Sequence, residues 1–447
     1  MEVTKILARY VLASRYADIP DAVKHEATRS FMNWVGCAVG AAKHETVERA
    51  LKALAPFSGK AEATVLGRKD RLDIMQAALM NGITSHTFDF DDTHLKTVIH
   101  PSGPVASAIL ALAERQPVSG EDFLHAFILG VEVECRIGNS VYPDHYQVGW
   151  HITGTTGVFG AAAAAGRLLG LNEQQMIWAL GIAATQSSGL REMFGTMCKP
   201  FHPGNAARNG LLAALLAKQD FTSSNQGIEA PRGFAHVLST KFDPKEIAEN
   251  LGKTFEVSLN TYKPFACGIV IHPIIDGCIQ LRNEHGLRAA DIESISALVH
   301  PLVLELTGKK TPQVGLEGKF SVYHSAAVAI IHGAAGEDEY GDDVVSNPEV
   351  IGLRDRVTAT VDKSMHEDQT RITIRLKDGR SLEKYVEHAI GSLDRPMSDA
   401  DLNRKFRAFT GGILSDAETD RLLKLSWDIG KLADAAEVAR AAVPGGK

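Results

Sequence analysis

No stretch of this 447-residue chain is both long and apolar enough to span a bilayer. The most apolar tract, Val158 to Leu171, is mostly alanine and glycine and carries Arg167. It is shorter than the roughly 20 residues that a spanning helix needs. Positive charge is not in excess: 47 Lys and Arg stand against 54 Asp and Glu, a formal net charge of −7. Neither nucleic acid nor an anionic membrane is therefore expected as a partner, while a locally basic pocket for a small anion stays compatible. Cysteine is scarce. Cys37, Cys135, Cys198, Cys267 and Cys278 are odd in number and show no C-x-x-C spacing. This argues for reduced thiols in a cytoplasm. Cys198 and Cys267 sit near Lys199 and Lys263, but a small buried residue is a simpler reading of each than a nucleophile. There is no G-x-G-x-x-G after a strand, no H-E-x-x-H and no EF-hand loop, and Gly252-Lys253-Thr254 has Ile247 where a complete G-x-x-x-x-G-K-[ST] needs glycine, so nucleotide and standard metal motifs are missing. Met1 to Ala17 puts Val3, Leu7, Tyr10 and Val11 on one helical face, but Lys5, Arg9 and Arg15 interrupt it, unlike a secretion signal.

What remains is an ordinary globular composition, 45% apolar and 23% charged, on a chain long enough for about two domains. Helical patterning dominates to about residue 260. Pro20 opens a helix with Val23, Ala27, Phe31, Trp34 and Val35 on one face. Val105–Ala113, Phe123–Val133 and Leu211–Ala217 are further apolar helices. Gly157–Gly166, with alanine at 161–165, reads as a thin helix suited to the centre of a bundle. The pattern then changes. Ile292–Leu306 alternates in part, and Arg356–Val361 and Thr370–Leu376 alternate cleanly, as half-buried strands do. Lys377-Asp-Gly379 is a hairpin turn into Ser381–Val386. Phe320–His332 reads as a helix between these strands, and Glu337–Asp343 as a solvated acidic loop. After Pro396 helices return, with Ser398 to Asp401 as a capped start and Leu422–Ala442 as one periodic run. Pro444 to Lys447 is expected to fray. The fold expected is mainly α with a smaller α+β part: a helical domain over 1–265, completed by 393–447, and an α+β lid over 266–392.

The chemistry concentrates in residues 86–103, His-Thr-Phe-Asp-Phe-Asp-Asp-Thr-His-Leu-Lys-Thr-Val-Ile-His-Pro-Ser-Gly. Asp89, Asp91 and Asp92 would repel one another unless cations, imidazoles or N–H groups lie among them. His86, His94 and His100 suit proton transfer near neutrality. Three readings stay open: a metal site of His86, Asp89, Asp91, Asp92 and His94; a metal-free acid/base site around Asp89, Thr93 and His100; and an incidental surface loop. Four later segments carry similar residue types. His151 precedes a Gly- and Thr-rich helix start that offers N–H groups to an anion, or merely close packing. Lys199, His202 and Arg208 flank a Pro-broken turn and could hold carboxylates. Lys263 and His272 lie at the boundary of the two patterns, where pockets form. Ser321, Tyr323 and His324 could complete a pocket, or Ser321 could simply cap a helix.

Taken in order, Asp89-Phe-Asp-Asp-Thr93 with His100-Pro-Ser-Gly103, His151-x-Thr-Gly, Lys199-Pro-x-His with Gly-Asn-Ala-Ala-Arg208, Lys263-Pro-Phe with His272-Pro, and the Gly-x-x-x-x-Pro396-Met-Ser-Asp run resemble the MmgE/PrpD family. That family includes 2-methylcitrate dehydratase, cis-aconitate decarboxylase and iminodisuccinate epimerase. The resemblance implies a homodimer with a cofactor-free site at the domain junction, acting on a small di- or tricarboxylate. It assigns the pocket to Asp89, Thr93, His100, His151, Lys199 and Lys263, with His272 beside them. Lys199 and Lys263 would hold carboxylates with help from Arg208, His100 or His151 would be the base, Asp89 would orient an imidazole, and Thr93 would donate to a substrate oxygen. Two positions depart: Gly268 stands where the decarboxylases carry a histidine, and His324, with Tyr323 before it, where many members have tyrosine. These departures and a chain shorter than 2-methylcitrate dehydratases point to the epimerase branch, with dehydration or decarboxylation as the alternative and a metal-dependent hydrolase using the 86–100 cluster as the competitor from another class.

Overall fold

The computed structural model describes residues 1–445. Gly446 and Lys447, in the tail expected to fray, lie outside the described residues. The first half is built from α1 (Asp21–Gly40), α2 (Ile74–His86), α3 (Ser102–Arg115), α4 (Gly120–Val141), α5 (Ile152–Leu168) and α6 (Cys198–Lys218). Their starts follow local chemistry. Asp73 caps α2 by accepting from the N–H groups of Met75 and Gln76, and Ser119 caps α4 by accepting from Asp122, which satisfies N–H groups that a helix start leaves open. The small residues bring helices into backbone contact, as the alanine-rich tract implies. A Cβ on Gly204 of α6 would lie 2.3 Å from the Leu79 carbonyl oxygen of α2, and one on Gly210 would lie 2.6 Å from the Val158 carbonyl oxygen of α5. Among the described residues no helix is long and apolar enough to cross a membrane.

Between these helices, β1 (Asp92–His94) pairs antiparallel with β2 (Asn260–Tyr262), Thr93 facing Thr261. The second half carries α7 (His272–His285), β3 (Ile292–Val299), α8 (Val322–Ile331), β4 (Val357–Val361), β5 (Thr370–Leu376) and β6 (Ser381–Val386). The strand order is β4-β3-β5-β6, parallel for β3–β4 and antiparallel otherwise. Alternation along β5 buries Ile372, Ile374 and Leu376 in one core with Ile275, Ile295 and Ala327. The last helices, α9 (Asp399–Thr410) and α10 (Asp416–Trp427), each begin with a capping box, Ser398/Asp401 and Ser415/Glu418. Their Phe406 and Leu422 share a core with Phe31, Phe123 and Phe127. The architecture is mainly α with a smaller α+β part, as the patterning indicates.

Three local readings change. The 422–442 run is not one helix: it stops at Trp427 and resumes as a short helix at Glu437–Ala441. Its backbone is diverted to the segment before α4, where Gly120 N–H donates to the Leu432 carbonyl (2.8 Å) and Ala435 N–H to the Val118 carbonyl (2.9 Å). The partial alternation of 292–306 divides at His300, whose ring caps a helix at Pro301–Thr307. The acidic tract is not simply solvated: Glu337 accepts from the buried Lys319 at 2.5 Å, and Tyr340 is buried.

Candidate active site

α2 ends at His86, and the chain leaves it through a turn in which Asp89 N–H donates to the His86 carbonyl at 3.0 Å. Asp89 adopts a left-handed backbone conformation, φ +52°, which aspartate tolerates better than most side-chain-bearing residues. That turn carries its carboxylate inward, and the residue is 3% exposed. One oxygen, Oδ1, accepts from Lys199 Nζ at 2.8 Å and from Lys263 Nζ at 2.6 Å. Lys199 comes from the first turn of α6, ahead of Pro203, and Lys263 from the residue after β2. Burial alone would raise the Asp89 pKa, but the two ammonium groups hold it well below the usual carboxylate range. Burial lowers the Lys199 pKa, and Asp89 opposes that shift. The Lys199 ammonium also lies 5.2 Å from the Phe194 ring centroid and 5.5 Å from that of Phe320, which suits a desolvated cation.

Three histidines gather beside this pair. His100 Nδ1 lies 2.8 Å from the Asp92 carbonyl oxygen. A carbonyl can only accept, so Nδ1 carries the proton and Nε2 keeps its lone pair. Burial pushes the His100 pKa well below its ordinary value, with Asp91 (3.5 Å) opposing. His151, which precedes α5, shares a proton with His202 of α6 across 2.8 Å between their Nδ1 atoms, and burial holds its pKa well down too. His86 Nδ1 donates to Asp91 Oδ2 at 2.7 Å, leaving Nε2 buried without a partner. Burial thus favours the neutral form of both His100 and His151.

A cavity is lined by Asp89, His100, Tyr146, His151, Phe194 and Lys199 from the first half of the chain and by Lys263, Gly268, Ile269, Val270, Thr307 and Phe320 from later segments. Five of the ten residues singled out from the sequence meet there. Thr93 stands behind His100, its hydroxyl 3.3 Å from Nδ1, rather than on the cavity surface. His272 is buried against Phe265, its pKa pushed down to about 3 by burial and by Lys263, and it faces a neighbouring pocket. Arg208 is turned to Asn205 (2.7 Å). Tyr323 lies under Lys310, and His324 is turned to the Glu339 carbonyl (3.0 Å). None of these three lines the cavity. Asp89 does not orient an imidazole: it pairs with lysines, and it is Asp91 that holds His86. His94 is spent on Glu256 (2.9 Å) and Thr97 (2.7 Å). Tyr146, Phe194, Thr307 and Phe320 carry no local signal that marks them as site residues.

Nitrogen and oxygen atoms of His86, Asp89, Asp91 and His100 lie close enough together to hold a cation, as do those of His86, His100 and His151. Oδ1 of Asp89 is already shared by two ammonium groups, and a divalent cation on this carboxylate would face their charge. An anion is the better match.

The MmgE/PrpD N-terminal domain matches residues 5–247 and the MmgE/PrpD C-terminal domain residues 265–429. The chain is 27% identical over 449 residues to the cis-aconitate decarboxylase of Homo sapiens, covering 97% of this chain and 92% of that one. It is 27% identical over 447 residues to that of Aspergillus terreus, covering 93% and 91%. Against the 2-methylcitrate dehydratase of Escherichia coli K12 it is 22% identical over 438 residues, covering 90% and 89%. With both domains matched in order across nearly its whole length, this chain belongs to the MmgE/PrpD family.

Proposed function

We propose that the protein is a lyase that removes water from a small β-hydroxy polycarboxylate without a cofactor. The observation that carries this reading is the placement of Lys199 and Lys263, sharing one Asp89 oxygen, in the same cavity as the unprotonated Nε2 of His100. A carboxylate of the substrate docks on the two ammonium groups. His100 Nε2 takes the proton from the adjacent carbon, and the electron pair spreads onto that carboxylate, where the lysines stabilise it. The C–O bond at the β carbon then breaks. The proton on His100 leaves with the departing hydroxyl as water, so the imidazole returns to its neutral form. Asp89 keeps both lysines charged and aimed. His151, steadied by His202, orients the hydroxyl, and Thr93 steadies His100 from behind.

Gly268 supports dehydration over decarboxylation. It lies on the cavity wall, so the histidine expected of a decarboxylase is missing from the reacting space itself. The names of the relatives at 27% identity favour decarboxylation of cis-aconitate as a second reading. A two-histidine epimerase, with His100 and His151 rings 6.4 Å apart, is the third outcome. Division of the chain near residue 265, with the terminal helices rejoining the first unit, and a cytoplasmic homodimer complete the proposal; the five unpaired cysteines support a reducing compartment. NMR in D2O of citrate, 2-methylcitrate, cis-aconitate and iminodisuccinate separates the readings. Loss of water from a hydroxy acid supports dehydration, release of CO2 assigns decarboxylation, and deuterium uptake with inversion assigns epimerisation. No turnover and no exchange on the panel would sink the proposal.

A further inference from the structure

Three successive backbone carbonyls at the site each accept from a different lysine. The Phe88 carbonyl accepts from Lys319 Nζ at 2.8 Å, the Asp89 carbonyl from Lys263 Nζ at 3.0 Å, and the Phe90 carbonyl from Lys405 Nζ at 2.6 Å. Lys319 precedes α8 and Lys405 lies within α9, so three segments far apart in sequence converge on one turn. Neither Lys319 nor Lys405 lines the cavity. Lys319 is 2% exposed, and its other partners are the Ala266 carbonyl (3.0 Å) and Glu337 (2.5 Å). Its own carbonyl accepts from Gly268 N–H at 3.1 Å, so the same residue also braces the cavity wall at Gly268. Lys405 also donates to Asn33 Oδ1 of α1 at 2.8 Å and lies over the Phe90 ring at 4.3 Å.

The residue at the centre, Asp89, has φ +52°. Such conformations persist where the surroundings over-determine them, and a charged donor on the carbonyl before, at and after the residue does so. We propose that Lys319 and Lys405 are positioning residues that hold the left-handed turn at Asp89 and so keep its carboxylate between Lys199 and Lys263. They act through Asp89 and do not touch substrate. The inference rests on the site assigned above, but its geometry can be tested without any turnover.

Lys319→Met, Lys405→Met and Lys405→Arg are compared in the full chain. The first two keep the stem and remove the donor, and the third restores donors to the Phe90 carbonyl. Backbone amide exchange at residues 88–91, read by mass spectrometry, is expected to quicken at least tenfold in both Met variants, with exchange in α4 and α5 unchanged. Turnover is expected to fall at least tenfold in the Met variants and to return to within threefold of the parent in Lys405→Arg. The inert tricarboxylate tricarballylate is expected to bind at least threefold more tightly to the Met variants, because its carboxylate replaces a displaced Asp89. Partial unfolding would not tighten binding. Unchanged exchange at 88–91 in Lys405→Met overturns the proposal, and so does lost turnover with equal or weaker tricarballylate binding. Should Lys319→Met not fold, the partly exposed Lys405 still decides. Should the parent turn over nothing on the panel, the proposed reaction fails while the exchange arm still judges this inference.

Discussion

Asp89→Asn isolates one charge. Asparagine occupies the left-handed region about as readily as aspartate, so the backbone at φ +52° is not the variable. Shape and size are nearly kept, and only the anion between Lys199 (2.8 Å) and Lys263 (2.6 Å) is lost. Removing one partner of a buried ion pair costs about 3–5 kcal/mol, because the other charge stays desolvated. Here two ammonium groups depend on the one oxygen, which puts the expected loss at the upper end. Whole-protein stabilities are about 5–15 kcal/mol, so urea unfolding at pH 7 resolves it easily. The pH dependence has a definite sign. The folded-state pKa of Asp89 lies well below its ordinary 3.8, so its stabilisation is complete above 3.8 and is lost as pH falls through the folded value. The gap between parent and variant should therefore be constant from neutral pH down to about 5, on the linkage argument, and begin to close only below 3.8. A polycarboxylate supplies the missing anion: tricarballylate at a hundred times its Kd should return about 2.7 kcal/mol to the variant. A variant within about 0.5 kcal/mol of the parent, the usual scale of an uninvolved surface change, would refute the reasoning.

His100→Gln should lower turnover by about 10²–10⁴-fold, the range for a lost general base, with CD unchanged; activity within threefold of the parent would exclude His100 as the base. Because burial holds the His100 pKa below its ordinary 6.5, the acid limb of kcat/KM should lie below pH 6.5 and disappear in that variant. Gly204→Ala places a Cβ 2.3 Å from the Leu79 carbonyl oxygen and should destabilise by about 1–3 kcal/mol, the scale of overpacking, visible as a lower urea midpoint. Dialysis against a chelator should leave activity unchanged and elemental analysis should find less than stoichiometric metal; loss of activity restored by one cation would revive the metal reading of the 86–100 cluster.

Local rules fixed much of the architecture in advance. The strands Thr370–Leu376 and Ser381–Val386 begin and end where alternation does, and Ser398 and Ser321 cap the helices their positions suggest. Within the site, Asp89, His100, His151, Lys199 and Lys263 were legible because their types and order are unusual together. What escaped depends on long-range geometry. Arg208 is about two and a half turns beyond Lys199 in one helix, far enough along and around α6 to leave the cavity. Asp91 rather than Asp89 meets an imidazole because the left-handed turn sends Asp89 the other way. Lys319 and Lys405 sit in segments whose local pattern says only helix start and helix, so nothing nearby in sequence announces that both reach the same turn. The break at 428–436 follows from carbonyls paired to residues 118–120, which periodicity cannot see.

The close contact of α2 with α6 has a bearing on how new substrates could be accommodated. Where Gly204 meets Leu79, no side chain separates the helices, so the spacing between the His86–Asp89 end of one and Lys199 at the head of the other cannot be retuned by swapping a residue for a larger or smaller one. That half of the pocket behaves as a fixed jig. The lining at Gly268, Ile269, Val270, Thr307 and Phe320 is made of side chains and a glycine, and its contour changes with substitution. A library aimed at altered substrate choice belongs there, while the jig holds the carboxylate anchor in register.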